Sequence, residues 1–224
     1  MLACIHAQFI RQNRGVLAAP LAAHAAYDRP GCLEKSQSLA FSKLIDFDNV
    51  MAALGLGSRL DEVLVRDGTT FGERFAGQTR QANSDFDVIT GHPFRSLTVI
   101  GGGEDQTLGA IHVRGSIVLH GQGSHVYPEV EAVGEGAIAV LFESDQPALA
   151  FDIAGGEQGY GTIQFINSQG EQIDSVTYGS LDETSYAFVR QGMQPDIAGF
   201  ILLNTDPQGI SVDNFRFEGY DLLG

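Results

Sequence analysis

From Leu44 onward the chain runs in short apolar stretches cut by Gly, Asp, Asn and Pro. Ile138, Val140 and Phe142 alternate with other residues, as do Leu149, Phe151 and Ile153. A period of two puts each set on one side of a sheet. This pattern predicts strands at Leu44–Asp48, Glu62–Arg66, Phe86–Ile89, Ser96–Ile100, Ser116–His120, Ala137–Glu143, Ala148–Ile153, Thr162–Asn167, Gln172–Tyr178, Ser185–Arg190, Gly199–Asn204 and Ile210–Glu218. Their spacing is close to the roughly 8–12 residues of a sandwich or barrel. Asn167-Ser168-Gln169-Gly170 and Asp206-Pro207-Gln208-Gly209 carry turn chemistry. In the second, Pro presets φ and Gly supplies freedom. The sole helical candidate, Val50–Leu56, runs into Gly55 and Gly57. No segment has the longer helical pattern of a βαβ unit, so the pattern predicts an all-β, two-sheet antiparallel β-sandwich over residues 44–224.

The last strand changes parity. Ile210 and Val212 set an even apolar face, whereas Phe215 and Phe217 set an odd one. The switch falls at Asp213-Asn214, which predicts a bulge or a strand end there.

Composition adds the meaning of the breaks. Glycine is 28 of 224 residues without a G-X-Y period, so it punctuates strands rather than building collagen. Net charge is −15. Residues 1–45 hold five basic residues against Asp28 and Glu34, so the acidity belongs to the β-rich part. That balance argues against nucleic acid, whose phosphates need clustered Lys and Arg, and against anionic membrane surfaces.

Residues 1–43 read as a leader, either a signal peptide or a disordered segment. Arg11 and Arg14 precede the apolar stretch Gly15–Ala26, and Ala23-His24-Ala25 has an A-x-A form. This order fits a secretory signal and predicts a secreted or cell-surface protein. The stretch is too short for the roughly 20 apolar residues of a membrane span, so no membrane insertion is expected. Cys4 and Cys32 are too few for a disulfide framework or a cysteine-based metal site.

Four segments carry a resemblance. Ile45-Asp46-Phe47-Asp48-Asn49 opens the domain, and Ala148-Leu149-Ala150-Phe151-Asp152-Ile153 lies mid-chain. TIQFINSQG (Thr162–Gly170) and IAGFILLNTDPQGISVDNFRF (Ile197–Phe217) close it. Their order resembles bacterial exported jelly-roll domains, of the concanavalin-like and carbohydrate-binding-module-like kind found in PEP-CTERM-type surface proteins. The likeness covers roughly residues 44–218. It implies a jelly-roll topology and an extracellular binding or structural module, with a glycan or a surface or matrix protein as partner. It also implies that the first and last strands pair, bringing Asp46 or Asp48 near Asp213 and Asn214.

Those four residues are the candidate metal ligands. Calcium takes about 6–8 oxygens, often carboxylates and carbonyls, and would relieve the acidic body's self-repulsion. As plain structure, the same residues are turn and edge residues bonding their own backbone. Among aromatics, Trp is 0 and most Phe sit at alternating core positions. Tyr127, Tyr160 and Tyr178 remain as platform candidates for a sugar ring, with rim packing as the plainer reading. His112, His120 and His125 cluster in one stretch. Across a hairpin at Gly121–Ser124, His120 and His125 would approach each other and could bind zinc or act as acid and base. The plainer reading makes them surface histidines.

Ile111-His112 with Tyr127 resembles the Gln-Ile-His strand of jelly-roll alginate lyases, but Ala110 replaces the glutamine. A polysaccharide-active, lyase-like enzyme using His112, His120 and Tyr127 is therefore the alternative. The G-x-S-x-G, H-E-x-x-H and P-loop patterns are absent from the sequence. The leading expectation is an exported, non-catalytic module that binds carbohydrate or serves in a surface or matrix assembly, stabilised by calcium.

Overall fold

The computed structural model describes residues 10–11, 16–20, 38–84, 86–104, 107–125, 127–156, 158–179, 183–190, 193–218 and 221–223. Cys4, Cys32 and the A-x-A site lie outside the described residues.

Two antiparallel sheets pack face to face. The first runs, edge to edge, Ile10–Arg11, Gln172–Gly179, Tyr160–Ile166, Ile197–Asn204, Ile138–Gln146, Thr69–Gly72, Leu64–Arg66. The second runs Val16–Pro20, Ser185–Arg190, Ala148–Gly155, Ile210–Phe217, Ser116–Gln122, Leu108–Val113, Ser58–Leu60. Lys43–Ile45 adds to Ile210–Phe217, and Val133–Gly136 adds to Ser116–Gln122. The β-sandwich read from the alternation is thus the fold.

Phenylalanine fills the space between the sheets. Phe215 is the hub. Its ring centroid lies 5.7 Å from Phe71 and Phe200, 5.9 Å from Phe142 and 6.0 Å from Phe151 and Phe217. These rings come from both sheets, so each strand's alternating face is locked by the opposite layer.

A second apolar cluster lies outside the first sheet. Ala139 and Ile201 belong to it, whereas their neighbours Ile138, Val140, Phe200 and Leu202 belong to the inner core. Phe75, Ile89 and Val99 cover this outer face. They come from the segment 73–100, which holds the hairpin Thr79–Asn83/Phe86–Thr90. Charge fastens the hairpin. Arg80 Nε lies 2.5 Å from Asp87 Oδ1 and 3.3 Å from Glu73 Oε1, and its guanidinium donates to the Gly123 carbonyl at 2.9 Å. Burial raises both the Glu73 and Asp87 pKa values, although Arg74 and Arg80 pull them down.

Several elements differ from the pattern's expectation. Val50–Leu56 forms no helix; it is an irregular loop in which Val50 and Ala52 pack on the core while Met51 and Leu54 are exposed, too small a buried face to hold a helix of its own. The strand expected at Ser96–Ile100 is only Val99–Ile100. Strands at Ser58–Leu60, Thr69–Gly72, Thr79–Asn83, Leu108–Val113 and Val133–Gly136 were not foreseen. They are polar or glycine-containing, and long-range pairing rather than alternation makes them strands. No helix among the described residues is long and apolar enough to cross a membrane.

Candidate functional site

The site lies on the outer face of the second sheet, where a row of polar side chains crosses four neighbouring strands. It begins at a bulge. Ala150 pairs with Arg216 but Asp152 pairs with Asp213, so Ile210–Phe217 holds one extra residue at that point. Asn214 takes φ +48° there. The bulge lets Val212 and Phe215 both face the core while Asp213, Asn214 and Arg216 turn outward. The parity switch in the sequence has this structural cause.

Asp152 is the centre of the row. Arg216 grips it with two bonds, 2.9 Å to Oδ1 and 3.0 Å to Oδ2. The Ser185 hydroxyl donates to Oδ1, and Asn214 Nδ2 donates to Oδ2 at 2.9 Å. Burial raises the Asp152 pKa, but the hydrogen bonds from Arg216, Ser185 and Asn214 outweigh it and hold the carboxyl below its usual range. A bidentate Arg–carboxylate pair of this kind fixes orientation as well as charge.

Asp213 behaves oppositely. Its Oδ1 accepts the Asn214 N–H at 2.7 Å, and its Oδ2 faces the Ser116 hydroxyl at 2.8 Å. The same hydroxyl lies 3.1 Å from Asp48 Oδ1, which also accepts the Ile117 N–H at 2.9 Å. Burial raises the Asp213 pKa, and the charges of Asp48 and Asp152 add to the rise. Two carboxylates thus meet over one serine.

An open cavity of about 280 Å³ adjoins Asp152. Arg114, Glu183, Thr184 and Ser185 line it together with Asp152 and Val113. Arg114 sits in the Arg114-Gly115 turn, both residues at positive φ, that joins Leu108–Val113 to Ser116–Gln122. Its guanidinium pairs with Glu183 across the mouth. The cavity therefore offers carboxylates, a guanidinium and hydroxyls, of which Asp152 and Ser185 are held by each other and by Arg216.

Of the four candidate metal ligands, Asp48, Asp213 and Asn214 come together because Lys43–Ile45 pairs with Ile210–Phe217. Asp46 is exposed, on the far side of its strand end from the buried Ile45 and Phe47. Among the described residues, no three His, Cys, Asp or Glu side chains are grouped to hold a metal.

The histidines disperse. His112 is exposed and its Nε2 lies 3.2 Å from the Ala52 carbonyl. It pairs with Ile117, whose side chain packs towards the core, whereas His120 has the opposite parity. The two histidines therefore face opposite sides of the sheet. His120 is fully buried, with Nδ1 3.2 Å from both the Gly134 N–H and the Gly121 carbonyl, and its Nε2 has no partner among the described residues. Burial pushes its pKa down to about 4, against a smaller upward pull from the Gly121 carbonyl. His125 lies 3.2 Å from Glu129 instead of meeting His120, because the chain continues into the turn at Val130–Ala132 before it returns. Tyr127 is half-buried and precedes Pro128, and Tyr160 is 60% exposed. Tyr178 lies in its strand, but its side chain is outside the described residues.

Sequence reasoning did not single out Asp152, Ser116, Ser185, Arg216, Arg114 or Glu183. One signal was present: Asp152 is the single charge inside Ala148–Ile153, at an outward position between Phe151 and Ile153. Comparison with known proteins finds no matching family model, no matching curated protein and no matching solved structure.

Proposed function

We propose that the chain is an exported, non-catalytic jelly-roll module that binds carbohydrate on the outer face of its second sheet, at the cell surface or in a matrix. One observation carries this reading. The open cavity beside Asp152 brings carboxylates of Asp152 and Glu183, the Arg114 guanidinium and the hydroxyls of Thr184 and Ser185 to one place on the sandwich. Such groups suit a ligand rich in hydroxyls, each of which both donates and accepts. The outer face of the first sheet is covered by Phe75, Ile89 and Val99, whereas the side chains of Asp152 and Arg216 on the second sheet remain 27% and 29% exposed. The lyase-like alternative asks His112, His120 and Tyr127 to act together, and the opposite faces of the two histidines give it no support.

A glycan array is the test. Wild type should bind a subset of neutral or hydroxyl-rich glycans, and Arg114→Ala with Ser185→Ala should lose at least tenfold in affinity without a change of fold. An array with no binder, together with no surface or matrix association, would sink the reading.

The proposal extends to calcium at Asp48 and Asp213. Two carboxylates converge there, and carbonyls and water would have to complete the six or more oxygens. Asp213 is held partly against its ionised form by burial, so a cation would favour ionisation. Adding millimolar calcium to chelated protein should raise Tm, and Asp213→Asn should remove most of that rise. Equal melting with calcium and with chelator overturns this part.

A further inference from the structure

One segment closes an edge of both sheets. Val16–Pro20 pairs antiparallel with Ser185–Arg190, from Val16 opposite Arg190 to Pro20 opposite Tyr186. Ile10–Arg11 pairs with Gln172–Gly179, with Ile10 opposite Thr177 and Arg11 opposite Val176. Pro20 stands at the end of an edge strand, where its missing N–H is tolerated. Without this segment both neighbours would present unpaired main-chain groups, a template for another strand.

Charge favours the occupant that is present. Residues 1–45 hold five basic residues against two acidic ones, while residues 46–224 hold eight basic against 26 acidic. Two bodies of that acidity repel each other. An extended, basic and apolar segment is drawn to either of them.

We propose that the edges of Ser185–Arg190 and Gln172–Gly179 form a strand-acceptor site for the N-terminal segment, filled in cis by Ile10–Arg11 and Val16–Pro20 and in trans by the same strands of a second copy. Main-chain hydrogen bonds supply the affinity, as in other strand additions. Exchange between copies keeps the ladder and the charge match, so it is a low-cost route to a dimer. The inference concerns the chain that keeps residues 10–20, not one cleaved at Ala23-His24-Ala25, and it makes no use of the cavity beside Asp152 on which the carbohydrate reading rests.

Cross-linking tests it in the full chain, with Cys4 and Cys32 replaced by Ser. Ala19 lies opposite Ala187. Antiparallel partners have Cα atoms about 4.5–5.5 Å apart, within the roughly 4.4–6.8 Å that a disulfide spans. The double variant Ala19→Cys/Ala187→Cys should oxidise to a cross-linked monomer at low concentration. A mixture of Ala19→Cys chains with Ala187→Cys chains should give a cross-linked dimer, well above a control mixture of Ala19→Cys with Ala53→Cys. Failure of the intrachain bond overturns docking of the segment. An intrachain bond with no interchain bond above control overturns the acceptor site for a second copy.

Discussion

Replacing Gly136 with alanine is expected to destabilise the protein by about 3 kcal/mol or more, enough to threaten folding at 37 °C. A Cβ at Gly136 would sit 2.2 Å from the Gln122 carbonyl oxygen, 2.4 Å from its carbon and 2.6 Å from its nitrogen. All three are main-chain atoms, so no rotamer change relieves the clash. From the opposite side, a Cβ at Gly121 would sit 2.4 Å from the Gly136 carbonyl. Neither glycine has the positive φ that alone would require glycine, so the cost is steric. The two main chains press together where the register of Ser116–Gln122 on Val133–Gly136 shifts. Gly115→Ala is the informative comparison. Gly115 has φ +96° but open space around its missing Cβ, so its substitution should cost only about 1 kcal/mol or slightly more. Urea unfolding of both variants checks the claim. If Gly136→Ala unfolds at the same midpoint as Gly115→Ala, the close approach of the two main chains is not real.

Acid should find out His120. The unfolded chain takes up a proton near the ordinary histidine value of 6.5, but the folded protein does so only at about 4. Between those values the unfolded state binds more protons. Stability is therefore complete above pH 6.5, falls as pH drops towards 4, and falls no further through this group below that. The loss is about 3 kcal/mol over the window. Glu73, Asp87 and Asp213 act in the other direction. Their folded pKa values are raised by burial, so the folded state takes protons first as pH falls, and acidification favours it. Only a difference between proteins isolates the histidine. In His120→Asn the amide oxygen can replace Nδ1 as acceptor for the Gly134 N–H, and nothing titrates. The variant starts less stable, but the gap to wild type should close by about 3 kcal/mol between pH 7 and pH 4. Parallel stability curves would show that His120 is not held neutral by burial.

The strands with strict alternation were legible. Ser185–Arg190 has the bounds that the pattern predicts, and Ala148–Ile153 extends only to Gly155. The parity switch at Asp213-Asn214 was legible too, since a sheet buried on one side cannot change face without an extra residue. Thr79–Asn83 was not, because its residues are polar and its place depends on the Arg80 contacts. The grip of Arg216 on Asp152 depends on a register between residues 64 positions apart, which no local pattern encodes. His120 lay among polar turn residues in the sequence, yet it is buried. Its neighbour across the strand is Gly109, where a Cβ would sit 2.4 Å from the imidazole. The absence of a side chain there is what makes room for a ring, and it is visible only once the pairing is known.

The segment 73–100 packed on the first sheet gives the sandwich a back. A two-sheet fold usually offers two broad outer faces, but here one is spent on Phe75, Ile89 and Val99 and fastened by Arg80. Among the described residues, the polar row around Asp152 lies on the outer side of the other sheet. Copies fixed to a common support through the back would all point their Asp152 cavities the same way, and a polymer spanning several copies would meet evenly oriented contacts rather than a random scatter. Direction, in this molecule, is set by a polar hairpin far from the face that it orients.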